Sequence, residues 1–95
     1  MMRLDRFLWF ARIVKTRSFA QAMATAGHVR LDGRAVDRAA AAVRVGSVLT
    51  FATHGGEVRA IRVLALPVRR GPPAEARACY GELVLANVSQ QAPGD

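Results

Sequence analysis

The pair Asp32-Gly33 constrains this chain more than any other feature of its sequence. It stands between two β-compatible triplets, Val29-Arg30-Leu31 and Arg34-Ala35-Val36. A two-residue turn that follows the natural twist of paired strands needs positive φ at its central residues, and Asp-Gly meets that need at little steric cost. The spacing predicts a tight antiparallel hairpin over residues 29–36.

Upstream, the apolar period is helical. Leu4, Phe7, Leu8 and Ala11 fall at i, i+3, i+4 and i+7, the stripe of an amphipathic helix, with Asp5, Arg6 and Arg12 off the stripe. Thr16 is a good N-cap for a second helix running to about Ala26, and Gly27 stands where a helix ends in a left-handed residue. Phe19, Ala20, Met23 and Ala24 are its expected apolar side. Downstream, the Ala-rich residues 37–44 read as a loop or a helical turn, and Ser47 to Ala52 as a strand with Leu49 and Phe51 on one face. Thr53-His54-Gly55-Gly56 turns the chain into a long strand, Glu57 to Leu66, closed by Pro67. Pro72-Pro73 then opens a helix expected over Ala74 to Leu85, and residues 89–95 read as a frayed polar tail.

The expected architecture is α+β, a single small domain over residues 1–88. Two to three helices pack on a small, mainly antiparallel sheet. A chain of 95 residues has room for one such domain and little for a deep catalytic cavity.

Charge gives the first functional clue. Lys and Arg number 14 against 7 acidic residues, and only Lys15 is a lysine. Residues 1–44 hold nine basic and three acidic residues, whereas residues 45–95 hold five and four. A basic half beside a nearly neutral half points to a face for a polyanion, and Arg presents a planar fork suited to phosphate. Within that half stand Arg3, Arg6, Arg12, Lys15, Arg17, Arg30 and Arg34. Lys15-Thr16-Arg17 heads a helix, where free N–H groups and the helix dipole already favour an anion, so the three residues read as a phosphate clamp.

These residues carry a resemblance. Arg3-Leu4-Asp5-Arg6-Phe7-Leu8, Thr16-Arg17, Ala20, Gly27, Val29 and Asp32-Gly33 resemble the S-four RNA-binding domain, named after ribosomal small-subunit protein four, with its αL motif. The core of the likeness covers residues 3–50. Leu8-Trp9, Lys15-Thr16-Arg17, Arg69-Arg70 and the stretch from Ala74 to Tyr80 are similar to the bacterial ribosome-associated heat-shock-protein-fifteen family. The resemblance implies a surface of two helices and a hairpin edge set against structured RNA. By position it would use Arg3, Arg6, Arg12, Lys15, Arg17, Gln21, His28 and Arg30, to which the clamp reading adds Thr16 and the charge reading Arg34. It further implies ribosomal RNA of the large subunit as partner and a stress or recycling role on subunits stalled with a nascent chain.

Other residues read as structural. Asp5 is expected to pair with a base or cap a helix, Trp9 and Phe10 to pack under the sheet, and Arg38, Arg44, Arg59 and Arg62 to be solvated. His28, His54 and Cys79 lack metal-ligand spacing, and Gly55-Gly56 lacks the lysine and hydroxyl of a phosphate-binding loop. Cys79 has no evident base beside it. No enzyme, metal, cofactor or small-molecule substrate is expected. The single cysteine allows no internal disulfide, the apolar run Phe7 to Ala11 is too short for a signal peptide, and no run approaches the ~20 residues of a membrane span. A cytoplasmic protein is the expectation. The rival reading is a protein-interaction or assembly module, or a regulator of another structured RNA or of DNA.

Overall fold

The structure is a computed structural model that describes residues 1–53 and 55–83. The elements run β1 (Met2–Arg3), α1 (Leu4–Phe10), α2 (Arg17–Thr25), β2 (Val29–Leu31), β3 (Arg34–Val36), β4 (Ala42–Val43), β5 (Val48–Ala52), β6 (Val58–Val63), α3 (Pro73–Arg77) and β7 (Tyr80–Leu83). Five strands form one antiparallel sheet in the order β3-β2-β5-β6-β7, and β1 pairs with β4 in a separate two-stranded ladder.

The two helices form for the reasons read from the sequence. The stripe of α1 is buried, with Leu4, Phe7 and Leu8 at 0% exposure. The Thr16 hydroxyl accepts a hydrogen bond from the Phe19 N–H at 3.1 Å and so caps α2. Gly27 follows the helix at φ +80°. The hairpin is as tight as the Asp-Gly pair requires: Asp32 and Gly33 have φ of 53° and 87°, and Leu31 pairs with Arg34 across them.

Val29, Leu49, Phe51, Ile61 and Val63 line one face of the sheet and form a single core with the stripes of α1 and α2. Each large side chain buried there contributes about 1.5–3 kcal/mol. Truncating Phe7, the largest of the fully buried side chains, should cost about 3–5 kcal/mol through the void it leaves.

Five local expectations are corrected. The last helix stops at Arg77, and the chain returns as β7 along the free edge of β6, with Val63 opposite Tyr80 and Ala60 opposite Leu83. The β6 edge offered unpaired backbone groups, and satisfying a ladder of them outweighs a modest helix propensity. Within 37–44, Ala42–Val43 is a strand that buries Val43. The strand expected over 57–66 is the shorter β6, and Leu64 beyond it is half exposed. Phe19 is 40% exposed, on the rim of the core stripe of α2. Arg59 is bound in place rather than solvated, as described below. Residues 84–88 of the expected domain, the end of the expected last helix, the tail at 89–95 and His54 lie outside the described residues.

Candidate functional site

Arg12, at the end of α1, has an unusual backbone. α1 ends in a Schellman arrangement: the Ile13 N–H donates to the Leu8 carbonyl at 3.0 Å, and the Arg12 N–H to the Trp9 carbonyl at 3.1 Å. The pivotal position of that motif is left-handed and usually Gly, yet here it is Arg12 at φ 58°. A side chain with a β-carbon is disfavoured there by about 1–2 kcal/mol. The side chain has its own anchor, since Arg12 Nε donates to the Gly71 carbonyl at 2.6 Å.

That bond brings a distant stretch of chain to the end of α1. Arg70 Nη1 donates to the Trp9 carbonyl at 3.0 Å, and its guanidinium carbon lies 5.4 Å from the centre of the Trp9 ring. Arg17, the first residue of α2, places its own guanidinium carbon 5.8 Å from the same ring. Trp9 is half buried against the core and inclined to Phe10 at 5.7 Å, which fits the packing role read from the sequence. Its exposed part carries two cations, in keeping with the negative face of an indole.

Every sequence-predicted site residue is exposed: Arg3, Arg6, Arg12, Lys15, Thr16, Arg17, Gln21, His28, Arg30 and Arg34. They do not form one uniform patch. Arg12 and Arg17 adjoin Trp9, and Lys15 and Thr16 lie between them in the chain, at the start of α2. With Phe19 N–H taken by Thr16 Oγ1 and Ala20 N–H by the Thr16 carbonyl, the amides of Arg17 and Ser18 head the helix.

Arg3, Arg6 and Gln21 belong to a second group around Asp5, which is only 5% exposed. Arg3 spans both carboxylate oxygens at 3.0 and 3.3 Å, and the Arg6 N–H donates at 2.9 Å. Burial pushes this carboxyl upward. The hydrogen bonds and charge of Arg3, with further help from the Arg6 amide and the Gln21 side chain, more than offset it and hold the group below its ordinary value. Asp5 thereby ties the first turn of α1 to α2, the structural part read for it.

The hairpin splits its two arginines. Val29 and Leu31 face the core, so alternation turns Arg30 to the other face of the sheet. There it donates to the Gly33 carbonyl at 3.1 Å. Arg34, opposite Leu31, lies on the helix side at the sheet edge.

His28 lines an open cavity together with Arg59, which grips both oxygens of Glu82 at 2.7 and 3.1 Å and lies over Phe51 and Tyr80, at 5.5 and 6.0 Å from their ring centres. The Glu82 hydrogen bonds hold its pKa above the ordinary value. Cys79 is buried, and burial, reinforced by the nearby Glu75 charge, pushes its thiol up, away from the thiolate a nucleophile needs. Among the described residues, no group of three His, Cys, Asp or Glu could hold a metal ion, and no helix is long and apolar enough to cross a membrane.

Arg70 was not among the residues singled out from sequence for the site. It is 61 residues from Trp9, and the sequence showed Arg69-Arg70 only as part of the family resemblance, with no sign that it meets α1.

Comparisons with known proteins give the family and the fold. A family model described as the S4 domain matches residues 2–49. The Heat shock protein 15 homolog of Haemophilus influenzae is 40% identical over 82 residues, covering 85% of this chain and 60% of that protein. Heat shock protein 15 of Escherichia coli is 35% identical over 81 residues, covering 85% of this chain and 59% of its own length. The chain thus spans about 60% of the length of the curated relatives it matches. A solved structure, described as the trimeric structure of Vibrio cholerae Heat Shock Protein 15, superposes with a TM-score of 0.81 at 28% identity, over 96% of this chain and 90% of that one.

Proposed function

The chain belongs to the S4 domain family, a family of RNA-binding domains, and on that premise we propose that it binds ribosomal RNA of the large subunit, in a ribosome-associated stress or recycling role. The observation that carries this reading is the Arg17 guanidinium over Trp9 at the end of α1, where Arg12 follows, with Lys15 beside the capped start of α2. Lys15 and Arg17 are exposed cations on either side of the residue that caps a helix N-terminus. Phosphate oxygens are the ligands that such a group fits best.

Recognition of this kind reads shape. The major groove of an A-form duplex is too deep and narrow for side chains, so contacts fall on phosphates and 2′-hydroxyls. The relatives called heat shock protein 15 support the stress-linked part of the reading. Sedimentation of tagged protein through a ribosome gradient, with sequencing of the bound RNA, tests it. The protein should travel with large-subunit fractions and recover large-subunit RNA. Migration away from all ribosomal fractions overturns the ribosomal assignment.

One observation favours an assembly role as a second reading. Ile13, Val14, Phe19, Ala22, Met23 and Phe51 line an open, mostly apolar cavity of about 520 Å³. The Vibrio cholerae relative is described as a trimer. Analytical ultracentrifugation distinguishes the two: a monomer that binds RNA excludes assembly as the main role.

A further inference from the structure

We propose that Arg70 is a phosphate-contacting residue of the same RNA interface, so that the interface is built from two stretches of chain: the S4 segment and the loop between β6 and α3. The inference rests on the RNA-binding reading above and extends it to a part of the chain outside residues 2–49.

The first ground is placement. Arg70 is the residue through which the loop meets the S4 segment at the basic surface. It shares the Trp9 ring with Arg17 and the Trp9 carbonyl with the Arg12 amide. The next residue, Gly71, is buried and accepts from Arg12 Nε. A β-carbon at Gly71 would run into the Glu75 carboxylate. The loop is therefore tied to the end of α1 at the residue next to Arg70, and the Arg70 side chain is fixed on Trp9.

The second ground is charge. Among the described residues, no carboxylate pairs with Arg12, Arg17 or Arg70. Its neighbour behaves differently, because Arg69 donates to Glu75 Oε1 at 2.9 Å and so has a counter-charge of its own. The Arg17 and Arg70 guanidinium groups share one indole and repel one another, and the ring and the Trp9 carbonyl offset only part of that repulsion. An anion placed among them relieves it.

The third ground is donor geometry. Among the described residues, only one Arg70 nitrogen is committed, Nη1 to the Trp9 carbonyl. Nε and Nη2 retain their hydrogens for a ligand, with the fork already oriented. A side chain ordered before binding loses less entropy when it binds. The ligand class is the RNA phosphodiester backbone, read without regard to base.

The experiment uses the whole chain and a labelled RNA stem-loop, with affinity measured across a salt series for wild type, Arg70→Ala, Arg69→Ala and Arg17→Ala. Arg70→Ala should weaken binding about tenfold or more, the cost of one charge-assisted hydrogen bond. It should also lower the slope of log affinity against log salt by about one, as expected for one phosphate. Arg69→Ala, the same charge change one residue away, should change affinity less than about threefold, as an exposed ion pair does. If Arg17→Ala loses binding while Arg70→Ala matches Arg69→Ala in affinity and slope, the inference is overturned and the RNA-binding reading stands. If wild type binds no RNA, both fall. Should Arg70→Ala melt below the assay temperature, Arg70→Gln carries the test. It can still donate to the Trp9 carbonyl but has no charge. Loss of affinity and slope in that variant supports the inference, and wild-type behaviour overturns it.

Discussion

Asp32 and Val48 are joined twice: the Asp32 N–H donates to the Val48 carbonyl at 2.8 Å, and Asp32 Oδ1 accepts from the Val48 N–H at 2.9 Å. The carboxylate is thus part of the sheet, binding the tip of the β2–β3 hairpin to the start of β5. Its job is to hold register. Asp32→Ala removes the acceptor and places an alanine at φ 53°, which together should cost about 1–2 kcal/mol. Asp32→Asn keeps an acceptor oxygen and tolerates the left-handed backbone, so it should melt within a degree or two of wild type. Thermal unfolding of the two variants checks this; an Asn variant as unstable as the Ala variant would refute it.

Gly33 is needed for its backbone alone. A β-carbon there meets nothing within 4 Å, yet φ is 87°. Gly33→Val should therefore destabilise by about 1–3 kcal/mol through strain without any clash. That corresponds to a melting temperature lower by several degrees in a domain of this size. RNA affinity of the folded fraction should be unchanged, as measured well below the transition.

Asp5 makes stability depend on acid. Its folded-state pKa lies below the unfolded value, so its contribution is fully present above the unfolded value of 3.8. The contribution is lost as pH falls through the folded value. Asp5→Asn should melt lower than wild type at neutral pH, and the gap should close as the pH drops below about 4. Melting curves from pH 2 to 7 measure the gap. A gap that stays constant over that range would mean that the Arg3 and Arg6 hydrogen bonds do not depend on the carboxylate charge.

Lys15 and Arg17 should dominate RNA binding. Replacing both with Ala should cost on the order of 1.5–3 kcal/mol for each phosphate interaction removed. The matched control is Arg62→Ala with Arg77→Ala, two exposed cations on β6 and at the end of α3 that remove the same charge. Arg59 is unsuitable as a control, because its grip on Glu82, Phe51 and Tyr80 makes it structural. Equal losses of affinity for the two double variants would leave only a general attraction to polyanions.

Much of this protein follows from short stretches of sequence read alone. The α1 stripe, the Thr16 cap, the Gly27 stop and the Asp32-Gly33 turn each depend on residues within a few positions of one another. Periodicity, capping and turn chemistry act over that range, so these elements were legible, and with them the basic start of α2. Tertiary structure decided the rest. Tyr80 to Leu83 became a strand because the edge of β6 was there to pair with it, a condition no local window contains. The β1–β4 ladder joins residues about forty positions apart, and Arg30 and Arg34 part company only because strand alternation sends them to opposite faces. Arg70 reached Trp9 because the fold carried the loop back over the end of α1, where a left-handed Arg12 could bind the Gly71 carbonyl. Which cations share a surface depends on chain closure over long separations, and composition and periodicity hold no record of it.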